Sequence, residues 1–396
     1  MSKNKLRTAE EIVVIAFFVA AICLPLALLL LRGEGEPAWE NRRLTEFPHR
    51  PGNLSEAVHL PRMLTEYFKD HFGLRAQLIR WQANVKVNWL KSSSSPDVIL
   101  GKDGWLFYAG EEEVELFCGA KPFTEAELED WKLFLESVRD VTRERGAAFV
   151  FVVLPEKQAV YPEKMPRGLV RLRSDSRQDQ LIEYLRSHSD IRVLDVRPAL
   201  AEAKREQRIY YQTDTHWNDL GAFAAYQTLT REVGKDFNGV QPRTASDFDV
   251  APSTRSGDLA GLLGLHGTLS ENELKLHPKQ QRARFEGICG DRGQCTSEIN
   301  DPSLPRVVVY RDSFSSFLIP FFAEHFSHGA YVWDIKWRVS PEFVGNERPN
   351  IVVLEMIERN LMLPPPQRPR LTFVGVNSSA KQSRAPGEAS PEGWKQ

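Results

Sequence analysis

The sequence predicts an α/β protein built on a doubly wound, mostly parallel sheet with helices on both faces. Two observations carry this prediction. Apolar runs rich in β-branched residues recur along the chain, which is typical of strands buried on both faces of a parallel sheet. Segments with helical spacing of apolar residues separate the runs, and this alternation indicates a doubly wound fold. The predicted strands are residues 147–154, 191–196, 306–310, 330–333 and 350–356.

The N-terminal segment is predicted to be a transmembrane helix. Residues 12–31 carry no charge, and at about 1.5 Å per residue they span a hydrocarbon core of roughly 30 Å. Lys3, Lys5 and Arg7 precede the run, so the positive-inside tendency places residues 1–32 as a cytoplasmic stub and anchor, with the rest of the chain outside. A cleaved signal peptide is the alternative, but the run is long for one and no A-x-A site follows it.

The elements after the anchor follow in order. Residues 33–95 read as a polar linker and a helical lead-in, and a β-hairpin follows with Lys102-Asp103-Gly104 as its turn. Thr124 with Glu127 three residues later predicts a capped helix. Further helices are predicted at residues 178–187, 220–233 and 315–326. The main domain covers residues 96–363 with a polar insertion at 235–302, and residues 364–396 are predicted to be disordered.

Charge and cysteine content restrict the function classes. The 51 basic and 53 acidic residues nearly balance, which argues against a nucleic-acid partner. Cys289 and Cys295 flank a turn-rich segment, so a short-loop disulfide would leave Cys118 unpaired, although pairing of Cys118 with either of them stays open. No CxxC or HExxH spacing occurs, so no metal site is predicted.

Two polar motifs could carry chemistry. Asp214 and His216 lie two residues apart just before a helix that Asn218 can cap. A carboxylate can fix the tautomer of an imidazole, whose other nitrogen then takes a proton from a nucleophile. For this motif alone, a helix cap beside a surface histidine is the alternative.

The second motif is Asp312-Ser313, which connects a buried strand directly to an apolar helix. A serine at such a turn lies at the carboxyl edge of the sheet, where ligands bind in open α/β folds. Backbone N–H groups of the new helix can stabilise an oxyanion there. A helix cap is the alternative for this motif too, but the two motifs together predict a serine nucleophile for acyl transfer.

Weaker candidates surround these motifs. Lys157, Arg311, Glu355 and Arg359 follow or end predicted strands, so they are predicted to bind substrate, with structural ion pairs as the alternative. Asp258 in a glycine-containing loop is a candidate for the wall of the cleft.

Several stretches of the chain, taken with these motifs, resemble the SGNH-hydrolase-like family of alginate O-acetyltransferases and their relatives. The stretches are Glu40-Asn41-Arg42-Arg43-Leu44 with Phe47-Pro48, Gly101-Lys102-Asp103-Gly104-Trp105-Leu106-Phe107, Pro155-Glu156-Lys157 with Tyr161-Pro162-Glu163, Thr213-Asp214-Thr215-His216-Trp217-Asn218, Gly257-Asp258-Leu259, Asp312-Ser313-Phe314, and Glu355 with Glu358-Arg359-Asn360. The Asp-x-His motif precedes the serine in this chain, as it does in this family. Ordinary SGNH hydrolases have the reverse order.

The resemblance implies a periplasmic enzyme of the single-domain, anchored type in the inner membrane. Such an enzyme needs no cofactor, receives acetyl groups from a membrane-bound O-acyltransferase partner and places them on exopolysaccharide hydroxyls. The resemblance assigns Ser313 as nucleophile, His216 as base and Asp214 as the residue that orients the base. Arg311 stands where the family often has glycine.

Two other functions stay open from the sequence. A polysaccharide acetyl esterase would use the same three residues, because hydrolysis differs from transfer only in whether water reaches the acyl intermediate. A non-catalytic assembly protein of a polysaccharide-secretion complex would keep the fold without turnover.

Overall fold

The computed structural model describes residues 3–32, 44–290, 293–366 and 368–369, and within the first helix it describes side chains at positions 10–24 and 27. Residues 33–43 of the predicted linker and residues 370–396 of the predicted tail lie outside this range, as do the side chains at positions 25, 26 and 28–31 of the predicted anchor. Judged on the described residues, no helix combines the length and apolarity needed to cross a membrane.

The described chain alternates helices and strands. The α-helices are α1 (Lys3–Arg32), α2 (Leu54–His71), α3 (Arg75–Asn84), α4 (Glu113–Cys118), α5 (Glu125–Glu144), α6 (Lys157–Val160), α7 (Arg177–His188), α8 (Arg197–Glu206), α9 (Asp219–Val233), α10 (Asp258–Leu262), α11 (Ser315–Phe322) and α12 (Pro341–Glu347). The strands are β1 (Val98–Leu100), β2 (Leu106–Tyr108), β3 (Ala148–Leu154), β4 (Val193–Asp195), β5 (Phe248–Arg255), β6 (Glu271–Pro278), β7 (Arg284–Gly287), β8 (Cys295–Glu298), β9 (Arg306–Arg311), β10 (His328–Trp333) and β11 (Ile351–Ile357). A π-helical turn at Val85–Trp89 extends α3, and short 3₁₀ turns include Glu358–Met362 after β11.

The central sheet has seven strands in the order β4-β3-β11-β9-β10-β8-β7. The first five are parallel, and β8 and β7 add an antiparallel edge, so the sheet is mixed. Strands β7 and β8 come from the polar segment 235–302, which also supplies the separate β5–β6 hairpin. The sequence pattern did not reveal β7 and β8 because each is four residues long and mixes polar with apolar residues.

Helices cover both faces of the sheet, as predicted. Along β3, Val150 and Val152 belong to the core under α8, α9 and α11, whereas Phe149 and Phe151 belong to the core under α5, α7 and α12. This division follows from the period of two residues with which strand side chains alternate between faces. The capped start of α5 is confirmed, since the hydroxyl of Thr124 accepts from the Glu127 N–H.

Two local predictions near the site are also settled. Cys289 and Cys295 form a disulfide, and Cys118 is a free thiol. The predicted hairpin is β1–β2, with Lys102–Gly104 as its turn. Its aromatic residues Trp105 and Phe107 are buried in the core.

The parallel strands place the candidate residues at one edge. β3, β9 and β11 end at Leu154, Arg311 and Ile357, and polar residues follow each of them within two positions. Because parallel strands share the direction of their carboxyl ends, the segments after them meet at a single edge of the sheet.

Candidate active site

Ser313 lies in a turn that hydrogen bonds hold against β11. The carboxylate of Asp312 accepts the N–H of Phe314 (3.0 Å) on one oxygen and the N–H of Ile357 (2.7 Å) on the other. The N–H of Asp312 donates to Glu355 Oε2 at 3.0 Å. Asp312 is therefore engaged in shaping the turn, while the neighbouring Ser313 is only half buried and can meet a substrate.

The Asp-x-His motif lies in a tight loop between β-bridged residues Tyr210 and Trp217. The N–H of Tyr211 donates to the His216 carbonyl at 3.1 Å, which closes the loop. Asn218 caps α9 as predicted, because its side chain accepts the first free N–H groups of that helix. The indole of Trp217 donates to the Phe314 carbonyl at 3.1 Å and so ties this loop to the serine turn.

These contacts bring the three predicted catalytic residues into one relay. His216 Nε2 lies 2.8 Å from Ser313 Oγ, and His216 Nδ1 lies 2.7 Å from Asp214 Oδ1. Asp214 Oδ1 also accepts the backbone N–H of His216 at 3.0 Å. This is the arrangement in which a carboxylate fixes the imidazole and the imidazole takes the serine proton.

The second oxygen of Asp214 is held by residues that the sequence analysis missed or only weakly indicated. Arg255 Nη2 donates to Asp214 Oδ2 at 2.6 Å, and the N–H of Asp258 donates to it at 3.2 Å. Burial by itself raises the pKa of the Asp214 carboxyl. Its hydrogen bond with His216 and the charges of His216 and Arg255 together lower the pKa by more than burial raises it, so the net pKa is well below the ordinary value. No local signal marked Arg255, which lies at the end of β5 in the predicted insertion.

Asp214, His216 and Asp258 are close enough for their ligand atoms to lie within 4.8 Å of one another. The Asp258 carboxylate, however, accepts the N–H and hydroxyl of Thr215, both at 2.8 Å, and the oxygens of Asp214 are engaged as described. These hydrogen bonds are consistent with a proton relay. Asp258 lines the cavity beside the relay.

Lys157 does not line the cleft but lies behind the Asp-x-His loop. Its ammonium is buried and donates to the carbonyls of Asp214 (2.6 Å), Tyr211 (3.2 Å) and Gln212 (3.4 Å). Burial lowers the pKa of Lys157 to about 8, although nearby carboxylates oppose this shift. Its position indicates support of the loop rather than contact with substrate.

Glu355 and Arg311 are also buried away from the cavity. Glu355 Oε2 accepts the hydroxyl of Ser315 at 2.7 Å as well as the N–H of Asp312, and burial together with the charge of Asp312 raises the pKa of Glu355 well above its usual range. Arg311 points its guanidinium toward the loop closed by the disulfide. Neither Glu355 nor Arg311 lines the cavity, so their positions do not support the predicted contacts with substrate.

Arg359 lines the cavity that contains Ser313 and His216. Its Nε contacts Glu156 Oε1 at 2.8 Å and Glu113 Oε1 at 3.2 Å, and its guanidinium lies 5.2 Å from the ring centre of Tyr108. Burial by itself lowers the pKa of the Arg359 guanidinium, but the charges of the two glutamates raise it above its usual value. Arg359 is therefore a cation fixed by buried carboxylates.

A cavity of about 580 Å³ opens onto the serine and the histidine. Its wall combines charged and polar groups with apolar side chains, an environment suited to a sugar and an acyl group together. The lining residues are Tyr108, Glu111, Glu112, Thr215, His216, Asp258, Leu262, Asp312, Ser313, Trp333, Ile335, Ile357, Arg359, Asn360, Met362 and Leu363.

Several known proteins are similar to this chain in sequence or in fold. Probable alginate O-acetylase AlgJ of Pseudomonas putida is 27% identical over 353 residues, which cover 84% of this chain and 87% of the relative. Probable alginate O-acetylase AlgJ of Pseudomonas aeruginosa is 30% identical over 266 residues, covering 64% of this chain and 65% of the relative. The solved structure of Bacillus cereus PatB1 with a sulfonyl adduct matches with a TM-score of 0.51 and 16% identity, covering 68% of this chain and all of that one, which supports the fold.

A family comparison covers the two candidate catalytic motifs. The model described as the SGNH hydrolase-like domain of the acetyltransferase AlgX matches residues 98–318, more than half of the chain. This range includes Asp214, His216 and Ser313. The chain therefore belongs to the family of SGNH hydrolase-like domains represented by the acetyltransferase AlgX.

Proposed function

We propose that this protein is an O-acetyltransferase that moves an acetyl group onto a polysaccharide hydroxyl through an acetyl-Ser313 intermediate. The observation that carries the proposal is the relay of Ser313, His216 and Asp214, with contacts of 2.8 and 2.7 Å. Membership of an acetyltransferase family and two relatives named as probable alginate O-acetylases support the same chemistry.

The first half-reaction acylates the serine. Ser313 Oγ attacks the carbonyl carbon of the acetyl donor while His216 Nε2 takes the hydroxyl proton. Asp214 accepts the Nδ1–H of the resulting imidazolium and stabilises its charge. When the tetrahedral intermediate collapses, the bond to the leaving group breaks and His216 returns the proton to that group.

The second half-reaction reverses these roles. A sugar hydroxyl gives its proton to His216 Nε2 and attacks the acetyl carbon, and the bond to Ser313 Oγ then breaks as the serine regains a proton. Both tetrahedral intermediates need hydrogen-bond donors for their oxyanion. The N–H of Phe314 is engaged by Asp312. The side-chain amide of Asn360 lines the same cavity and has two N–H groups, of which one donates to Asp312 Oδ2 at 3.4 Å, so we assign the oxyanion donor role to the other.

The acceptor is proposed to bind in the cavity beside the triad. Of the four residues predicted to bind substrate, Arg359 lines this cavity and keeps that role in our proposal. Lys157, Arg311 and Glu355 support the loops instead, through the hydrogen bonds described above.

The cellular setting is part of the proposal. The uncharged run at residues 12–31, preceded by basic residues, supports a single-pass anchor in the inner membrane with the catalytic domain in the periplasm. A membrane-bound O-acyltransferase is the partner that we propose to supply acetyl groups, because acetyl donors have to reach the far side of that membrane.

The deciding experiment compares acetyl-ester hydrolysis by the full-length chain in detergent with that of Ser313→Ala. We expect the variant to fold and to lose essentially all turnover of an activated acetyl ester, because no hydroxyl remains to form the intermediate. Ser187→Ala, which changes an exposed serine of α7, is the matched control and should behave like the parent. Equal activity, or equal inertness, of parent and Ser313→Ala would contradict the triad and favour the assembly-protein alternative.

A second measurement separates transfer from hydrolysis. With a saturating hydroxyl-rich oligosaccharide, an acetyltransferase should partition the acetyl group to the sugar, and the acetylated product is quantified by mass spectrometry. Release of acetate alone under these conditions would identify the protein as an acetyl esterase.

A further inference from the structure

Arg311, which directly precedes the Asp312-Ser313 turn, is bound by the loop that the Cys289–Cys295 disulfide closes. Arg311 Nη2 donates to the carbonyls of Gly293 (2.8 Å), Gly290 (2.9 Å) and Cys289 (3.2 Å). All three belong to the connection between β7 and β8, where Cys289 and Cys295 are bonded. The three carbonyl oxygens form a cage around one side of the guanidinium, and the disulfide joins the two ends of the loop that supplies them.

The shape of this cage depends on backbone packing within the loop. The N–H of Ile288 donates to the Gln294 carbonyl at 3.1 Å, across the base of the loop. A side chain at Gly293 would place its Cβ 2.0 Å from the Ile288 carbonyl oxygen, so glycine is required for this close approach. The hydrogen bond at the base of the loop and the close approach at Gly293 thus hold the three carbonyls near one another.

The other side of the Arg311 guanidinium contacts the nucleophile turn. Arg311 Nη1 donates to Ser316 Oγ at 2.9 Å and to the Asp312 carbonyl at 3.3 Å. Ser316 in turn donates its N–H to the Ser313 carbonyl at 3.1 Å. Arg311 thus fixes the peptide before Ser313 and the first turn of the helix after it.

The buried charge makes this contact strongly dependent on its partners. Arg311 is fully buried, its guanidinium lies 5.0 Å from the ring centre of Trp333, and Trp333 lines the catalytic cavity. A buried guanidinium needs hydrogen-bond acceptors because its desolvation is costly. Loss of the loop carbonyls would therefore leave part of this buried guanidinium without the acceptors that it has in this structure.

We infer that Arg311 is a positioning residue for Ser313 and that the Cys289–Cys295 disulfide controls this position, so that full activity requires the oxidised loop. The inference rests on the proposed role of Ser313 as nucleophile. It also explains why arginine can stand before Asp-Ser in this chain, since the disulfide loop supplies the space and the acceptors for it. A displacement of about 1 Å at a nucleophile can lower the rate about 100-fold.

The test uses the full-length chain in detergent and the double variant Cys289→Ser/Cys295→Ser. The parent is also reduced with a phosphine, which converts the disulfide to two thiols and becomes the phosphine oxide, with water supplying the oxygen and both protons. We expect the double variant and the reduced parent to lose about 100-fold in kcat on an activated acetyl ester, with KM changed less than about twofold. Cys118→Ser is the matched control and should match the parent before and after reduction.

The rate of covalent labelling of Ser313 by a serine-directed sulfonyl fluoride separates misplacement from unfolding. Partial unfolding lowers the fraction of chains labelled, whereas a misplaced serine lowers the rate constant at full labelling. We expect the rate constant to fall in the double variant and in Arg311→Met, with partial recovery in Arg311→Lys. Unchanged rate constants and kcat in the double variant would overturn the inference, and an unlabelled parent would instead refute the proposed function.

Discussion

Asp214 illustrates how hydrogen bonds and nearby positive charge can keep a buried carboxylate ionised. The Asp214 side chain is almost completely buried, which by itself favours the neutral acid. Arg255 contributes a charge-assisted hydrogen bond of 2.6 Å to the oxygen that His216 does not use. The hydrogen bond and charge of His216 lower the pKa of Asp214 more than Arg255 does, and together these contacts keep the carboxylate charged so that it can orient the imidazole.

We predict that Arg255→Met lowers kcat about 10-fold, because Asp214 Oδ2 loses a charge-assisted hydrogen bond that helps to hold the carboxylate against His216. The measurement is kcat for acetyl-ester turnover at neutral pH. Arg255→Lys keeps the charge and serves as the control, and equal kcat values for the Met variant and the parent would contradict the prediction.

At the scale of elements, the start of α10 packs directly against the Asp-x-His loop. Gly257 precedes α10, and a Cβ at this position would lie 2.2 Å from the Thr213 carbonyl oxygen and 2.5 Å from the Asp214 N–H nitrogen. The Gly257 N–H also donates to Thr213 Oγ1 at 3.1 Å. Backbone therefore meets backbone at this point, with no room for a side chain.

We predict that Gly257→Ala lowers kcat by about 100-fold, because the loop must move away and carry Asp214 with it. Gly239→Ala is a matched control, since a Cβ at Gly239 meets no atom within 4 Å. Acetyl-ester kinetics and thermal unfolding of both variants provide the readout. A Gly257→Ala enzyme as active as the Gly239→Ala enzyme would show that the loops separate without cost.

A second element-scale feature is the buried carboxylate group between α4 and the turn after β11. Glu113 and Glu156 are buried against the Arg359 guanidinium, and the buried Glu358 accepts the N–H of Glu156 at 3.4 Å. Burial, and secondly the charge of Glu156, raises the pKa of Glu358 to about 7. Glu358 therefore retains its proton in the folded state at a pH where the unfolded chain has lost it.

The sign of the resulting pH dependence follows directly. Between about pH 4.5 and pH 7 the folded state binds more protons than the unfolded state, so the contribution of Glu358 to stability is lost as the pH rises. We predict a loss of about 3 kcal/mol over this range from Glu358, and a flatter profile for Glu358→Gln. Urea unfolding at pH 5 and pH 8 measures the difference. The exposed Glu342→Gln substitution is the control, and parallel profiles for Glu358→Gln and the parent would argue against this assignment.

At the scale of the whole molecule, the proposed topology sets where the enzyme works. We predict that alkaline phosphatase fused to the C-terminus of the full chain is active in a Gram-negative host. A fluorescent protein that folds only in the cytoplasm should be dark when it is fused at the same position. The physical reason is the basic flank before the uncharged run at residues 12–31. Deletion of residues 1–32 should abolish phosphatase activity, and a bright fluorescent fusion would place the domain in the cytoplasm instead.

The sequence by itself determined the strands of the parallel core and the three catalytic candidates. Both depend on local pattern: buried strands appear as continuous apolar runs, and Asp312-Ser313 follows such a run directly. The Asp-x-His motif is local as well, since its two side chains are two residues apart and lie in one loop. Such features can be recognised without knowing which distant segments come together.

Only the tertiary structure decided what surrounds these residues. Arg255 reaches Asp214 across 41 positions of sequence, and Lys157 reaches it across 57. Arg311 and Glu355 end in hydrogen bonds behind the turn rather than in the cavity, and the antiparallel edge comes from a segment with little apolar content. Side-chain roles of this kind follow from which backbone oxygens and carboxylates the fold brings within about 3 Å, and residue type at strand ends does not encode that distance.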